Sequence, residues 1–181
     1  MKKVFLLIFP LLFFAAQEDL LGQNFPPMDD SPMDLAMAKP FKDKPPVARV
    51  IYSRPQMKGR KIFGGLVPFG EVWRTGANEA TELTLYESFT IGDFCLDPGT
   101  YTLYTIPQKN SWTIIINKDT NVWGAFSYKK EKDLARVQVK TNEVAAPVEI
   151  LSMIFRPEKN GVTLLIGWEK TFVEIPFKYV R

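Results

Sequence analysis

The chain has 181 residues, of which 46% are hydrophobic and 24% charged, and its formal net charge of +3 is too small for a nucleic-acid surface. It contains no histidine and a single cysteine, which excludes Ser-His-Asp triads, histidine-ligated zinc and an intramolecular disulfide. We therefore expect one globular domain with no metal and no cofactor, and the sequence singles out no catalytic residue.

The N-terminal stretch, residues 1–23, has the pattern of a signal peptide. Two lysines precede an apolar run at residues 4–16, which is short for a membrane span. Small residues predict cleavage near Ala16 or near Gly22. We expect export to the periplasm or the extracellular space, with a soluble mature protein and no membrane span after signal removal. An uncleaved anchor is the alternative.

Residues 24–46 read "NFPPMDDSPMDLAMAKPFKDKPP" and contain six prolines. Proline at this density removes backbone donors and blocks regular strand pairing. We predict a mobile, proline-rich leader here, followed by a single β-sandwich domain at residues 47–181.

From Val47 onward, apolar residues recur with period two, which predicts β-strands. The alternating faces are those of Leu83, Leu85, Phe89 and Ile91, of Trp112, Ile114 and Ile116, of Ala135, Val137 and Val139, and of Val162, Leu164, Ile166 and Trp168. Turn signals such as Gly92–Asp93 separate the runs. We predict an all-β fold, an antiparallel β-sandwich or jelly roll of roughly nine or ten strands, with a closed barrel as the rival. Cys95, between apolar neighbours, is expected to be a buried, inert thiol.

Several motifs in this order resemble one bacterial family. They are "YSRP", "KGRKIFGGLVPFGEVWRTGANEAT", "PGTYTLYTIP" and "NKDTNVWGAF". Together they are similar to the exported family catalogued as domain of unknown function 2911, over about residues 47–177. The resemblance implies an exported, β-rich domain, and it implies no activity, substrate or catalytic residue.

The stretch "VWRTGANEA", residues 72–80, concentrates polar chemistry in a segment rich in glycine and proline. Arg74 can bind a carboxylate or phosphate through two parallel hydrogen bonds, and Asn78 and Glu79 add an amide and a carboxylate. Two interpretations remain open. Arg74 and Glu79 pair with each other or with backbone groups and lock the loop, or Arg74, Asn78 and Glu79 line a cleft and bind a polar ligand.

Tryptophans and a second arginine complete the candidate binding set. Trp112 and Trp168 are expected in the core, whereas Trp73 and Trp123 are equally compatible with a core position and with stacking on a ligand. Arg54, in "YSRP", is also a candidate ligand contact. Near Trp123, residues 119–121 offer oxygen atoms, but one short turn supplies too few ligands for Ca²⁺, and a plain turn is favoured.

Three functions compete for this sequence. The first is a non-catalytic binding module for a polar ligand such as a glycan, a peptide or a cell-wall fragment. The second is a structural or interaction protein of the cell envelope. The third is a hydrolase that uses two carboxylates, with Glu79 and either Glu71 or Asp119 flanking a groove. The sequence does not predict the oligomeric state.

Overall fold

The computed structural model describes residues 25–40 and 42–180, so the predicted signal peptide lies outside the described part. The described chain forms nine β-strands and one 3-10 turn. They are β1 (Met33–Ala38), β2 (Ala48–Ser53), β3 (Glu82–Leu85), β4 (Phe89–Ile91), β5 (Phe94–Leu96), β6 (Gly99–Pro107), β7 (Ser111–Asn117), the turn η1 (Lys130–Lys132), β8 (Asp133–Glu158) and β9 (Gly161–Tyr179). Within the described residues, no helix has the length and apolar character needed to cross a bilayer.

The nine strands form one antiparallel sheet in the order β1-β2-β3-β6-β7-β8-β9-β4-β5. The first part of β8 pairs with β7, and from Thr141 onward it pairs with β9. The 26-residue β8 therefore carries the chain from one half of the sheet to the other. The order ends at β1 and β5, so the sheet is not closed. This confirms the all-β antiparallel prediction, and the closed barrel is wrong.

The predicted alternation of apolar and polar residues identifies the side chains that form the hydrophobic core. In β7, Trp112, Ile114 and Ile116 are fully buried, and in β9, Leu164 and Ile166 are fully buried too. Side chains at every second position of a strand point to the same face, so one apolar face per strand accounts for this burial. The buried residues of both halves form one main cluster, as expected for a sheet folded over on itself.

β1 lies inside the stretch predicted as a mobile leader. It pairs with β2 along its whole length, from Met33 opposite Ser53 to Ala38 opposite Ala48, so the sheet begins before Val47. The sequence pattern did not predict β1 because the larger apolar side chains of this edge strand are exposed. Met33 is 57% exposed, while the small residue Ala38 is buried. Flanking prolines also gave the stretch the composition of a loop.

The prediction of a buried Cys95 is wrong, because this thiol is exposed. Cys95 lies in the three-residue edge strand β5, where only Leu96 is buried. In a short edge strand only one face packs against the core, so a residue with apolar neighbours in sequence can still be exposed.

Candidate functional site

A cavity of about 500 Å³ opens beside the segment "VWRTGANEA". This volume lies within the range of about 300–1,000 Å³ that is usual for small-molecule sites. Five separate parts of the chain line it: Ser31 from the predicted leader, Pro55 and Arg60, residues 66–77 in part, Ala125 and Phe126, and Trp168 of β9. The site therefore exists only once the sheet has brought these segments together.

Aromatic rings form the apolar support of the cavity. Trp73 stacks on Trp168 with ring centroids 6.0 Å apart and planes inclined by 17°. Trp112 contacts Trp73 edge-on at 6.0 Å, and Phe63 does so at 6.1 Å. Trp112 and Trp168 are buried, as predicted. Trp73 is partly buried, so it both packs on the core and faces the cavity.

The backbone around Arg74 is held on both sides. The Trp73 N–H donates to the Thr105 carbonyl at 2.7 Å, and the Thr105 N–H donates back at 3.0 Å. The Thr81 N–H donates to the Arg74 carbonyl at 3.0 Å. The first two bonds fasten Trp73 to β6, and the third closes the loop from Arg74 to Thr81, so the arginine stands on a fixed part of the fold.

Thr75, next to Arg74, has a left-handed backbone with φ of 58°. This region is unfavourable for a β-branched residue, and such strain persists only where the surroundings impose it. The Thr75 hydroxyl lies 3.1 Å from the Thr105 hydroxyl, and the Thr81 hydroxyl donates to the Thr75 carbonyl at 2.9 Å. Buried polar contacts thus hold the strained residue in place.

Arg74 itself has few partners. Its Nε donates to the Gly76 carbonyl over a long 3.4 Å, and this oxygen also accepts the Trp73 indole N–H at 3.1 Å. Among the described residues, no carboxylate forms an ion pair with Arg74, and neither terminal nitrogen donates a hydrogen bond. A partly buried guanidinium at a cavity therefore keeps its two-pronged donor face available.

Phe126 forms an exposed rim beside this guanidinium. Its side chain is 87% exposed and lines the cavity. Both Phe126 and Arg74 lie against Gly124, where an added Cβ would be 2.7 Å from the ring and 3.3 Å from an Arg74 terminal nitrogen. Gly124 also has a positive φ of 66°, so a larger residue here would be disfavoured by its conformation and would displace the Phe126 ring.

Two further charged residues line the cavity, Arg60 and Glu71. Arg60 donates to the carbonyls of Met57 and Gln56 at 2.9 Å and 2.6 Å. In the described chain, neither Arg60 nor Glu71 takes part in an ion pair. With Arg74, the lining carries two positive charges and one negative charge.

The other predicted site residues lie elsewhere. Arg54 is bound by Asp34 of β1 at 2.8 Å, by the Leu151 carbonyl at 3.0 Å and by the Ser152 hydroxyl at 2.9 Å, so it joins strands. Asn78 donates to the Asp29 carboxylate at 3.0 Å. Neither side chain is among those that line the cavity.

Glu79 lines a different, smaller cavity of about 280 Å³, which it shares with Glu82. It is separated from Glu71, which lines the cavity of Arg74. Asp119 is engaged in an ion pair with Lys132. Neither carboxylate pair that we predicted for a hydrolase is therefore assembled at the cavity beside Arg74.

Trp123 is 59% exposed and its backbone pairs with Glu79, so it is a surface residue rather than a core anchor. The sequence reasoning missed Phe126 and Arg60 as cavity residues, and it named Glu71 only as a possible partner of Glu79 in a hydrolase. A signal was present in the glycine-rich run "KIFGGLVPFGE", since irregular segments of this length are often functional.

A family model described as "Protein of unknown function (DUF2911)" matches residues 32–177. The match takes in β1 to β8 and most of β9, and it includes every residue described above as lining the cavity except Ser31. No curated protein and no solved structure matches the chain.

Proposed function

The chain belongs to the family of unknown function DUF2911, and we propose that it is a non-catalytic binding module that holds a polar ligand in the cavity beside Arg74. The observation that carries the proposal is the guanidinium of Arg74, which is partly buried and has no carboxylate partner among the described residues. Export is part of the proposal, because residues 1–23 have the pattern of a signal peptide.

Withdrawing a guanidinium from water without a counter-charge costs free energy. An acidic neighbour usually offsets this cost. In this protein Asp34 does so for Arg54, and Asp133 does so for Arg136. Among the described residues, both Arg49 and Arg74 lack such a neighbour, but only Arg74 of these two lines the cavity, and the strained Thr75 stands next to it. Side-chain donors without a protein partner and backbone strain both occur at binding sites, where a ligand can supply the partner.

Binding without catalysis fits the chemistry of the lining. Histidine is absent from the whole sequence, and the single cysteine lies on the edge strand β5. Among the described residues that line the cavity, Glu71 is the one carboxylate. A two-carboxylate mechanism needs a second acid across the same groove. The arrangement suits recognition through charge, hydrogen bonds and apolar contact.

One observation favours the alternative of an interaction protein of the cell envelope. Phe126 at 87% exposure and Trp123 at 59% are large aromatic residues on the surface, and such residues are enriched at protein interfaces. In this alternative the group that enters the cavity belongs to a partner protein, and Phe126 contributes to the surrounding contact.

A thermal-shift screen with a cavity-filling variant tests the proposal. A panel of cell-wall oligosaccharides and short peptides is added to the purified protein and to Ala77→Trp, since Ala77 lines the cavity. We expect at least one compound to raise the Tm of the parent protein by mass action and to leave that of the variant unchanged. Compounds that shift both proteins equally, or a panel that shifts neither, contradict the proposal.

A further inference from the structure

We infer that the ligand is a short peptide with apolar side chains, whose free α-carboxylate binds Arg74. This rests on the proposed function and narrows it, since a glycan, a peptide and a cell-wall fragment all fit the general description. Three features of the cavity carry the inference: the sign of its charge, the character of its walls, and the rim formed by Phe126.

The charge of the lining favours an anionic group. Arg60 and Arg74 outnumber Glu71, so the cavity has a net positive charge. The terminal nitrogens of Arg74 are free of hydrogen bonds to the described residues, and their planar fork matches the two oxygens of a carboxylate. The Arg74 backbone is anchored to Thr81, so little ordering is needed before binding.

The walls favour a peptide over a sugar. Most of the other lining residues are apolar, and they include Leu66, Val67, Pro68, Trp73 and Trp168. Each buried hydroxyl of a sugar needs a hydrogen-bond partner, because a polar group buried without one costs free energy. In the described part of the chain, Ser31 is the only residue with a side-chain hydroxyl that lines the cavity. Apolar side chains of a peptide suit these walls without such a cost.

Phe126 at the rim and Glu71 in the lining add an apolar contact and a second charge contact. Phe126 and the Arg74 guanidinium both lie against Gly124, so an exposed apolar ring stands beside the position of a bound carboxylate and can contact an apolar side chain of the peptide. Glu71 offers a carboxylate in the same cavity that can bind the free amino group of a peptide.

The test is a fluorescence titration, since Trp73 and Trp168 both line the cavity and report on its occupancy. Three probes are compared: an apolar tripeptide with a free carboxyl terminus, the same tripeptide with an amidated terminus, and a trisaccharide of uronic acid. The last probe carries carboxylates on a sugar. The proteins are the parent chain, Arg74→Ala, Arg74→Lys and the control Arg156→Ala, whose arginine is paired on the surface with Glu174.

We expect the free-acid tripeptide to bind the parent at least about tenfold more tightly than the amide, because the amide cannot accept two charge-assisted hydrogen bonds. Arg74→Ala should remove this difference, Arg74→Lys should retain part of it, and Arg156→Ala should leave it intact. Thermal unfolding of each variant verifies that the protein is folded.

Two results overturn the inference while the proposed function stands. They are equal binding of acid and amide, and binding of the uronic acid trisaccharide in preference to both peptides. Failure of every probe, together with a panel that leaves the Tm unchanged, contradicts the inference and the proposed function alike.

Discussion

Arg54 and Arg74 are the same residue type at two ends of one irregular segment, and the fold treats them differently. Arg54 is bound by Asp34, by the Leu151 carbonyl and by the Ser152 hydroxyl, all between 2.8 and 3.0 Å. Arg74 has one long contact of 3.4 Å to its own loop. Both are partly buried.

The side chain of Arg54 stabilises the fold, whereas Arg74 is positioned by the fold through its backbone. The partners of Arg54 come from β1 and β8, which are remote in sequence, so its side chain connects strands. The backbone of Arg74 is anchored, while its terminal nitrogens donate to no acceptor among the described residues. Similar burial therefore does not imply a similar role. The hydrogen-bond partners of each arginine show whether it connects strands or has free donors.

The largest effect on stability is expected for Arg54→Ala. Three hydrogen bonds to a charged group are lost, and the Asp34 carboxylate loses its partner. The Arg54 side chain is 32% exposed and that of Asp34 is 41% exposed, so solvent screening reduces the loss to about 2–3 kcal/mol. Urea unfolding monitored by circular dichroism measures it. A variant as stable as the parent would show that β1 needs no such connection.

Gly124→Ala should follow, at about 2 kcal/mol, because the new Cβ meets the Phe126 ring at 2.7 Å and the backbone has a positive φ of 66°. Gly59→Ala is the matched control. Gly59 has a similar φ of 71°, but an added Cβ there meets nothing within 4 Å. We expect the control to lose about 1 kcal/mol, from conformation alone. Equal losses in the two variants would contradict the contact of Phe126 and Arg74 over Gly124.

Arg74→Ala should change the free energy of unfolding by less than about 0.5 kcal/mol in the absence of ligand, since Arg74 forms no ion pair with a described residue and donates one long hydrogen bond. Glu79→Gln, an exposed residue with no ion pair to a described residue, should behave in the same way. Thermal unfolding of both variants provides the measurement. A loss of several degrees in Arg74→Ala would restore the interpretation of Arg74 as a structural clasp.

The smallest effect on stability should come from breaking the surface pair of Arg156 and Glu174. The two terminal nitrogens of Arg156 donate to the two carboxylate oxygens of Glu174 at 2.9 and 3.0 Å. The hydrogen bonds from Arg156 lower the pKa of Glu174 below its usual value of 4.5. A lowered carboxyl pKa contributes stability that is present above the unfolded-state value and is lost as the pH falls through the folded-state value.

The parent protein should therefore be slightly more stable than Glu174→Gln at neutral pH, and the difference should shrink below pH 4.5. Unfolding in urea between pH 3 and pH 7, the range over which carboxylates titrate, measures it. A difference that grows toward acid pH would have the wrong sign and would contradict this account. The pair is exposed, so its effect is the weakest of the four.

Much of the fold was predictable because burial in a strand follows local order. The alternation around Ile114 and around Leu164 predicted two buried faces, and both are buried. The family was predictable as well, from motifs that the family model covers. The site was predictable only in part. The stretch "VWRTGANEA" contributes Trp73 and Arg74 to the lining of the candidate cavity, but Arg54, Asn78 and Glu79 do not line it.

The sequence by itself determined the β-class of the fold, the burial of Trp112 and Trp168, and the absence of histidine chemistry, because these depend on composition and on neighbours one or two positions away. Only the tertiary structure decided that β1 joins the sheet, that Cys95 is exposed, and that Arg74 faces a cavity without an acidic partner among the described residues. A cavity is the space left between segments far apart in sequence, such as Pro55, Phe126 and Trp168. Its shape and charge are set by how those segments pack, which no local pattern records.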